Sequence, residues 1–414
     1  MSKNRRVVIT GFGGISPLGC DWETIFSNLK SCKNKIQKIA EWEEYKGLNT
    51  HLAAPAADFE LPADRYNRKS MRSMGRVALM SCRATDMALE DAGLTNTDTV
   101  TSGRTGIAYG SSTGSPEAQC DFFQLLVDKS TNGINASSYI KMMSHTAAVN
   151  IAVFFGVTGR VIPTSSACTS GSQAIGYAYE AIKYGHADVM IAGGAEELSP
   201  SEVVVFDTLF ATSTMNSTPE LTPSPFGKDR DGLVIGEGAC TAIIEEYEHA
   251  VNRGAKIYAE LVGFGTNCDG THVTQPQSET MAKAMELALA DADLEPSKVG
   301  YVNAHGTATK EGDTAETKAT EKVFGSRMPI SSLKSYMGHT LGACGALEAW
   351  MTIGMMNDGW FAPTLNLHEV DPACGNLQYI KGNGTQLDCD YTMSNNFAFG
   401  GINTSLIFKR IQTN

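Results

Sequence analysis

Apolar positions in this chain fall into two spacings that alternate along its length. Short, nearly continuous runs, such as Val7 to Phe12 within RVVITGFGG and Val299-Gly-Tyr-Val302, have the make-up of buried strands that end in glycine or a polar loop. Between them lie longer stretches with apolar residues three and four apart. Residues 68 to 94 predict one such helix, and Ala174, Ile175, Ala178 and Ala181 line one face of another. A further apolar run, Ile151 to Val161, is interrupted by glycines, reads as extended, and meets Pro163. From there the small residues of TSSACTSGS lead into the 174–181 helix, so Cys168 is expected where an extended segment turns into a helix. Strands alternating with helices predict a layered α/β molecule, with sheets between helices.

The same order of segments occurs twice. Met87-Ala-Leu-Glu-Asp-Ala-Gly-Leu94 closes a helix ahead of a strand starting at Arg104, and Leu287-Ala-Leu-Ala-Asp-Ala-Asp-Leu294 does the same ahead of Val299. Residues 6–13 match Ala259-Glu-Leu-Val-Gly-Phe-Gly265, and the helix after Cys168 matches Gly342-Ala-Cys-Gly-Ala-Leu-Glu-Ala349. Matches in one consistent order predict an internal duplication. The charged segment Glu245 to Lys256 marks the join, giving halves 1–255 and 256–414. The turn near Cys344 is expected to be scaffold.

Composition narrows the possibilities. Lys and Arg number 33 against 45 Asp and Glu, a net charge of −12, so a nucleic-acid partner held by an overall positive field is not expected. No apolar run approaches the ~18 residues of a spanning helix, and the first residues, MSKNRR, have no apolar leader core, so membrane insertion is not expected. The ten cysteines are scattered without CxxC pairs or His/Cys clusters, which points to a reducing cytoplasm and to neither zinc nor disulfides. Gly11-Phe-Gly-Gly lacks the third glycine and the following acidic residue of a dinucleotide fingerprint.

Chemistry-bearing residues gather at ends of apolar runs. These are Cys168; Asn303-Ala-His305-Gly-Thr307-Ala-Thr309; Lys334-Ser-Tyr-Met-Gly-His339; and Asn395-Asn-Phe397-Ala-Phe399-Gly400-Gly401. A cysteine at a helix start is either a small buried hydrophobe or a thiolate favoured by the helix dipole. With two histidines it fits a thiol hydrolase, or an acyl-transfer enzyme in which both imidazoles donate to a carbonyl oxygen during decarboxylation. His51, His186, His249 and His368 lack such settings and read as structural or surface residues.

Taken together, ACTSG at Cys168, GGAEE from Gly193, GKDRDGLVIGEGA from Gly227, NAHGTAT at His305, LKSYMGHTLGACGALE at Lys334 and His339, and NNFAFGGIN at Phe399 resemble the elongating β-ketoacyl-acyl-carrier-protein synthases. The resemblance runs end to end. It implies a thiolase-like duplicated αβαβα layered fold and a decarboxylative condensation on malonyl-carrier protein. By it, Cys168 carries the acyl group, His305 and His339 polarise the malonyl thioester, and Lys334 supports the second histidine. The N–H groups of Cys168 and Phe399 form the oxyanion hole, Phe399 also gating beside Gly400. Thr307, Thr309 and Thr274 hold the phosphopantetheine arm, and Glu316 holds a water or ion network. The basic cluster Arg68, Lys69 and Arg72 meets an acidic acyl carrier protein. No metal or cofactor of the enzyme's own is implied, and a dimer is, with an identical or a related subunit.

Four departures from the family pattern concern substrate fit: Gly227, Tyr336-Met337, Ile402, and above all Thr113, where a bulky aliphatic residue floors the acyl pocket of long-chain elongators. The segments at 67–76 and 109–115 resemble synthases of aryl-polyene pathways. The other readings are a non-catalytic chain-length-factor subunit, which replaces the nucleophile that Cys168 retains, and a thiolase, which uses a second cysteine where this chain has Phe399-Gly-Gly.

Overall fold

A computed structural model of the chain describes residues 4–411. In the first half, strands β1 (Val7–Ile15), β2 (Thr105–Gly110), β3 (Val161–Pro163), β4 (Val189–Glu196) and β5 (Gly238–Glu246) alternate with helices α1 (Arg76–Asp91), α2 (Thr146–Phe155), α3 (Ser170–Lys183) and α4 (Pro200–Asp207). The second half contributes β6 (Ala259–Cys268), α5 (Ser278–Asp291), β7 (Val299–Asn303), α6 (Lys310–Phe324), β8 (Pro329–Ser331), α7 (Cys344–Asp358), β9 (Gln378–Tyr379), β10 (Tyr391–Phe397) and β11 (Ile402–Arg410).

These strands form one sheet in the order β9-β8-β7-β10-β11-β6-β1-β5-β4-β2-β3. Outward from β1 the sequence is antiparallel β5, antiparallel β4, then parallel β2 and β3. Outward from β6 it is antiparallel β11, antiparallel β10, then parallel β7 and β8. The two runs are one motif repeated, joined where β1 pairs with β6.

Both faces of each run are buried, and side chains alternate between layers with the period of two that a strand imposes. Ala108, Met190, Ala192 and Ile244 face an inner core with α3 and α7, whereas Ile107, Val189, Ile191 and Ile243 face an outer core under α1 and α2. In the second run Leu406 and Phe408 face inward, and Ile407 faces an outer core with α5. The result is five layers, helix–sheet–helix–sheet–helix, with α3 and α7 back to back in the middle. Gly171 and Gly345 allow that contact: a Cβ on Gly171 would lie 2.9 Å from the backbone N of Ala346, and one on Gly345 2.5 Å from that of Ser172.

Two local expectations are corrected. The helix expected from residue 68 starts at Arg76, because the Asn67 side chain accepts the N–H groups of Lys69 and Ser70 and holds the segment as a turn. The run Ile151 to Val161 is helical as far as Phe155 and is stopped by Gly156 in a left-handed conformation (φ 69°), which leaves only Val161–Pro163 extended.

Candidate active site

Parallel strands end on the same edge of a sheet, and both halves use that edge. In the second half His305 follows β7, Lys334 follows β8, and Asn396 and Phe399 lie at the end of β10. In the first half Thr113 follows β2, Cys168 follows β3, and Glu196 ends β4. Each half makes the same sharp turn into its inner helix. Ala167 (φ 51°) opens a single 3₁₀ turn before α3, and Leu341 (φ 45°) opens one before α7. A left-handed non-glycine residue in the same place twice marks a turn that the surrounding packing enforces. In this register Cys168 pairs with Gly342, and Cys344 pairs with Ser170.

The thiol of Cys168 is buried, with His339 Nε2 at 3.1 Å from its sulfur. The N–H of Leu341 donates to His339 Nδ1 (3.3 Å), which leaves the ring proton on Nε2, facing the sulfur. His305 stands edge-on to His339, with ring centres 5.1 Å apart. Its Nδ1 accepts from the Lys334 ammonium at 3.2 Å, so its proton also sits on Nε2. Burial, and then the Lys334 charge, hold both imidazoles well below the usual histidine range, and both are neutral. The pair therefore presents two uncharged N–H donors beside a nucleophilic sulfur.

Lys334 is wholly buried. Burial works against its charge, but the ion pair with Glu348 more than offsets this and keeps it an ammonium. Asn396 Nδ2 donates to the far oxygen of Glu348 at 2.7 Å. The resemblance implied that Lys334 supports His339; its Nζ bonds His305, and it reaches His339 through its field. Glu348 and Asn396 escaped the sequence reading although both lie in quoted motifs. Their roles depend on α7 and β10 meeting, which no local pattern encodes.

The helix start left Cys168 open between a small buried hydrophobe and a thiolate favoured by the dipole. Burial instead pushes the thiol up to about 11, although the N–H of Phe399, the Lys334 charge and the N–H of Cys168 itself all favour the anion. Both N–H groups therefore lie on the side of the site where the sulfur stands. Phe399 stays 39% exposed, edge-on to Phe206 at 6.0 Å, in a turn whose Gly400 and Gly401 have φ of 93° and 81°. The two oxygens of Glu316 accept the N–H groups of His305 and Gly306, each at 2.7 Å, and so clamp the His305 loop.

A cavity of about 590 Å³ leads from the surface to Cys168, His305 and His339, within the range of small-molecule sites. Thr307, Thr309 and Thr274 line it, with the Thr307 and Thr309 hydroxyls 3.0 Å apart. Gly400 donates its N–H to Val273 O at 2.9 Å and ties the Phe399 turn to the Thr274 loop. Thr113 is half-buried and outside this cavity, its N–H on Glu196 at 3.2 Å. Arg68, Lys69 and Arg72 are exposed in the turn before α1, remote in sequence from all of these, and form no ion pair among the described residues.

A buried thiol, two neutral imidazole donors and paired backbone N–H groups on a duplicated thiolase-like scaffold define an acyl-transferring condensing enzyme. The chain belongs to the β-ketoacyl synthase family: the family's N-terminal domain matches residues 4–250 and its C-terminal domain residues 258–368. It is 39% identical to the 3-oxoacyl-(acyl-carrier-protein) synthase 1 of Haemophilus influenzae over 98% of this chain and 99% of that one. Its fold is similar to a β-ketoacyl synthase from Burkholderia phymatum (TM-score 0.97, 57% identity, 99% and 100% of the two chains). It is also similar to the ishigamide ketosynthase/chain length factor (TM-score 0.90, 29% identity, 99% and 100% covered).

Proposed function

We propose that the chain condenses an acyl group carried on Cys168 with malonyl-acyl-carrier protein, releasing CO₂ and a β-ketoacyl-carrier protein. The observation that carries this reading is the matched tautomers of His305 and His339, both Nε2–H and both neutral. Decarboxylation of a malonyl thioester develops an enolate, which two neutral donors stabilise without an external base. The first half-reaction is acyl transfer. The Cys168 sulfur attacks the incoming thioester, the oxyanion collects on the N–H groups of Cys168 and Phe399, and the carrier thiol leaves with a proton. Malonyl-carrier protein then binds and loses CO₂, and its carbanion attacks the Cys168 thioester and frees the thiol.

Thr307, Thr309 and Thr274 are assigned to the phosphopantetheine arm, an assignment supported by their place along the cavity. The arm arrives on the carrier protein, and no cofactor or metal of the enzyme's own enters the scheme. The ligand atoms of Cys168, His305 and His339 lie within 4.8 Å of one another, but the Lys334 ammonium on Nδ1 of His305 puts a positive charge close behind that imidazole, which disfavours a second cation there. We assign the division into halves at 255/256, a cytoplasmic setting in keeping with ten free thiols, and a dimer with an identical or related subunit. The ketosynthase/chain-length-factor relative makes a heterodimer the form to test first.

Intact-mass measurement of the protein with a panel of acyl-carrier proteins tests the reading. A Cys168 adduct should form, and Cys168→Ala should abolish it. His305→Ala should still self-acylate yet lose malonyl decarboxylation by about 10²-fold or more. An adduct that survives Cys168→Ala would remove the nucleophile, and loss of acylation in His305→Ala would remove the histidine's assigned step.

A further inference from the structure

Among the described residues, Glu202 is the carboxyl with both oxygens buried and unpartnered. It is 4% exposed in the first turn of α4, and neither of its oxygens has a hydrogen-bond partner. The sequence offers it one. Ser199-Pro-Ser-Glu202 has the spacing of a capping box, in which the glutamate reaches back to the N–H of the cap residue. Ser199 does its share, its side chain accepting from the N–H of Ser201. Glu202 turns away from that bond and faces the Thr113 hydroxyl and the Glu196 carboxylate instead.

Those neighbours fix what Glu202 can be. Glu196 is a satisfied acceptor: it takes the N–H groups of Ser112 (2.8 Å), Thr113 (3.2 Å) and Gly342 (2.9 Å), and the hydroxyls of Ser111 (2.8 Å) and Ser112. A second ionised carboxylate beside it is disfavoured by burial and by like charge, so the pair divides into one anion, Glu196, and one neutral acid, Glu202. A neutral acid offers an O–H donor and a carbonyl acceptor, and here neither makes a formed hydrogen bond, with the Thr113 hydroxyl and the Glu196 carboxylate as the polar groups nearby.

Their position ties this to the acyl group. Val203 is buried in one apolar cluster with Cys168. Phe206, four residues after Glu202 and on the same helical face, lines the cavity that holds Cys168. The Glu196 charge is felt at the Cys168 thiol itself. Thr113 lies outside the cavity that opens on Cys168, so an acyl chain that reached it would have to pass Val203, and there it would meet a hydrogen-bonding group where plain methylenes have nothing to give it.

We propose that the Glu202 carboxyl, with Thr113 beside it, determines acyl-chain specificity, selecting chains that carry a hydroxyl or carbonyl oxygen within its reach over unsubstituted saturated ones. This rests on the condensing reading above. A site with an unpaired buried polar group discriminates against a ligand that leaves it unpaired, on the order of tenfold for one hydrogen bond.

The test measures Cys168 acylation rates of the full chain by intact mass, using N-acetylcysteamine thioesters of octanoate and of octanoates hydroxylated at successive carbons. At least one hydroxylated isomer should acylate about tenfold faster than octanoyl. Glu202→Leu should abolish that preference, and Glu202→Gln, which keeps a donor and an acceptor, should retain it. The infrared carbonyl band of a protonated carboxyl should shift when the favoured acyl group is loaded and be missing in Glu202→Gln. A wild type indifferent to every hydroxyl position, or a Glu202→Leu protein that keeps the preference, would overturn the proposal. Absence of any adduct with every thioester would overturn the condensing reading instead.

Discussion

The Cys168 thiol is held back by its own burial. The Lys334 ammonium, the N–H of Phe399 and the His339 Nε2–H all favour the anion, yet the balance leaves the group at about 11. Because that value lies above the working range, the reactive thiolate is a minor form whose share grows about tenfold for each unit of pH. Alkylation of Cys168 by iodoacetamide should therefore climb steadily from about pH 6 to about pH 9 without levelling off. A plateau below about pH 8 would mean that the thiolate is already formed in that range and that burial does not hold the thiol up. Lys334→Ala removes a charge that lowers the thiol, so its whole profile should move to higher pH. That shift separates a positioning role for Lys334 from a merely structural one.

Helices α3 and α7 matter as a pair, since Cys168 stands at the start of one and Glu348 in the first turns of the other. Their contact is set by two glycines and leaves no room for a Cβ. Gly345→Ala would push against the backbone N of Ser172 at 2.5 Å, and backbone cannot rotate aside as a side chain can. The variant should lose about 1–3 kcal/mol of stability and, with the helices displaced, most Cys168 acylation. A lowered melting temperature with unchanged acylation would show that the Cys168 turn is held by β3 alone. This scale also shows what the chain gives away before it is folded. The repeat at 87–94 and 287–294, the glycine-ended runs and the residues after them locate the strand ends where Cys168, His305, Lys334 and Phe399 stand. Glu348 and Asn396 are invisible by the same method, as is the bond from Lys334 to His305 rather than His339. They follow from how the second half's strands and α7 come together, not from any local period. The apolar run from Ile151 is ambiguous for a different reason: short buried helices and strands have the same composition, and the left-handed Gly156 is what ends the helix here.

At the scale of the whole molecule, charge becomes the question. The chain carries −12, so an acidic carrier protein, the partner that the resemblance implies, would be repelled at long range. At physiological salt that repulsion fades over about 8 Å, and association is then decided by what lies at the contact. Arg68, Lys69 and Arg72 offer the needed reversal of sign, exposed on a turn that Asn67 keeps from joining α1. Their replacement by glutamate should lower kcat/KM for acylation from carrier protein on the order of tenfold at low salt, with the deficit shrinking as salt rises. Acylation from an N-acetylcysteamine thioester reaches Cys168 through the same cavity without docking, and should be unchanged in the same variant. Equal losses with both donors would mean that the turn supports the fold and not the partner. Equal rates with both would move carrier-protein docking to another face.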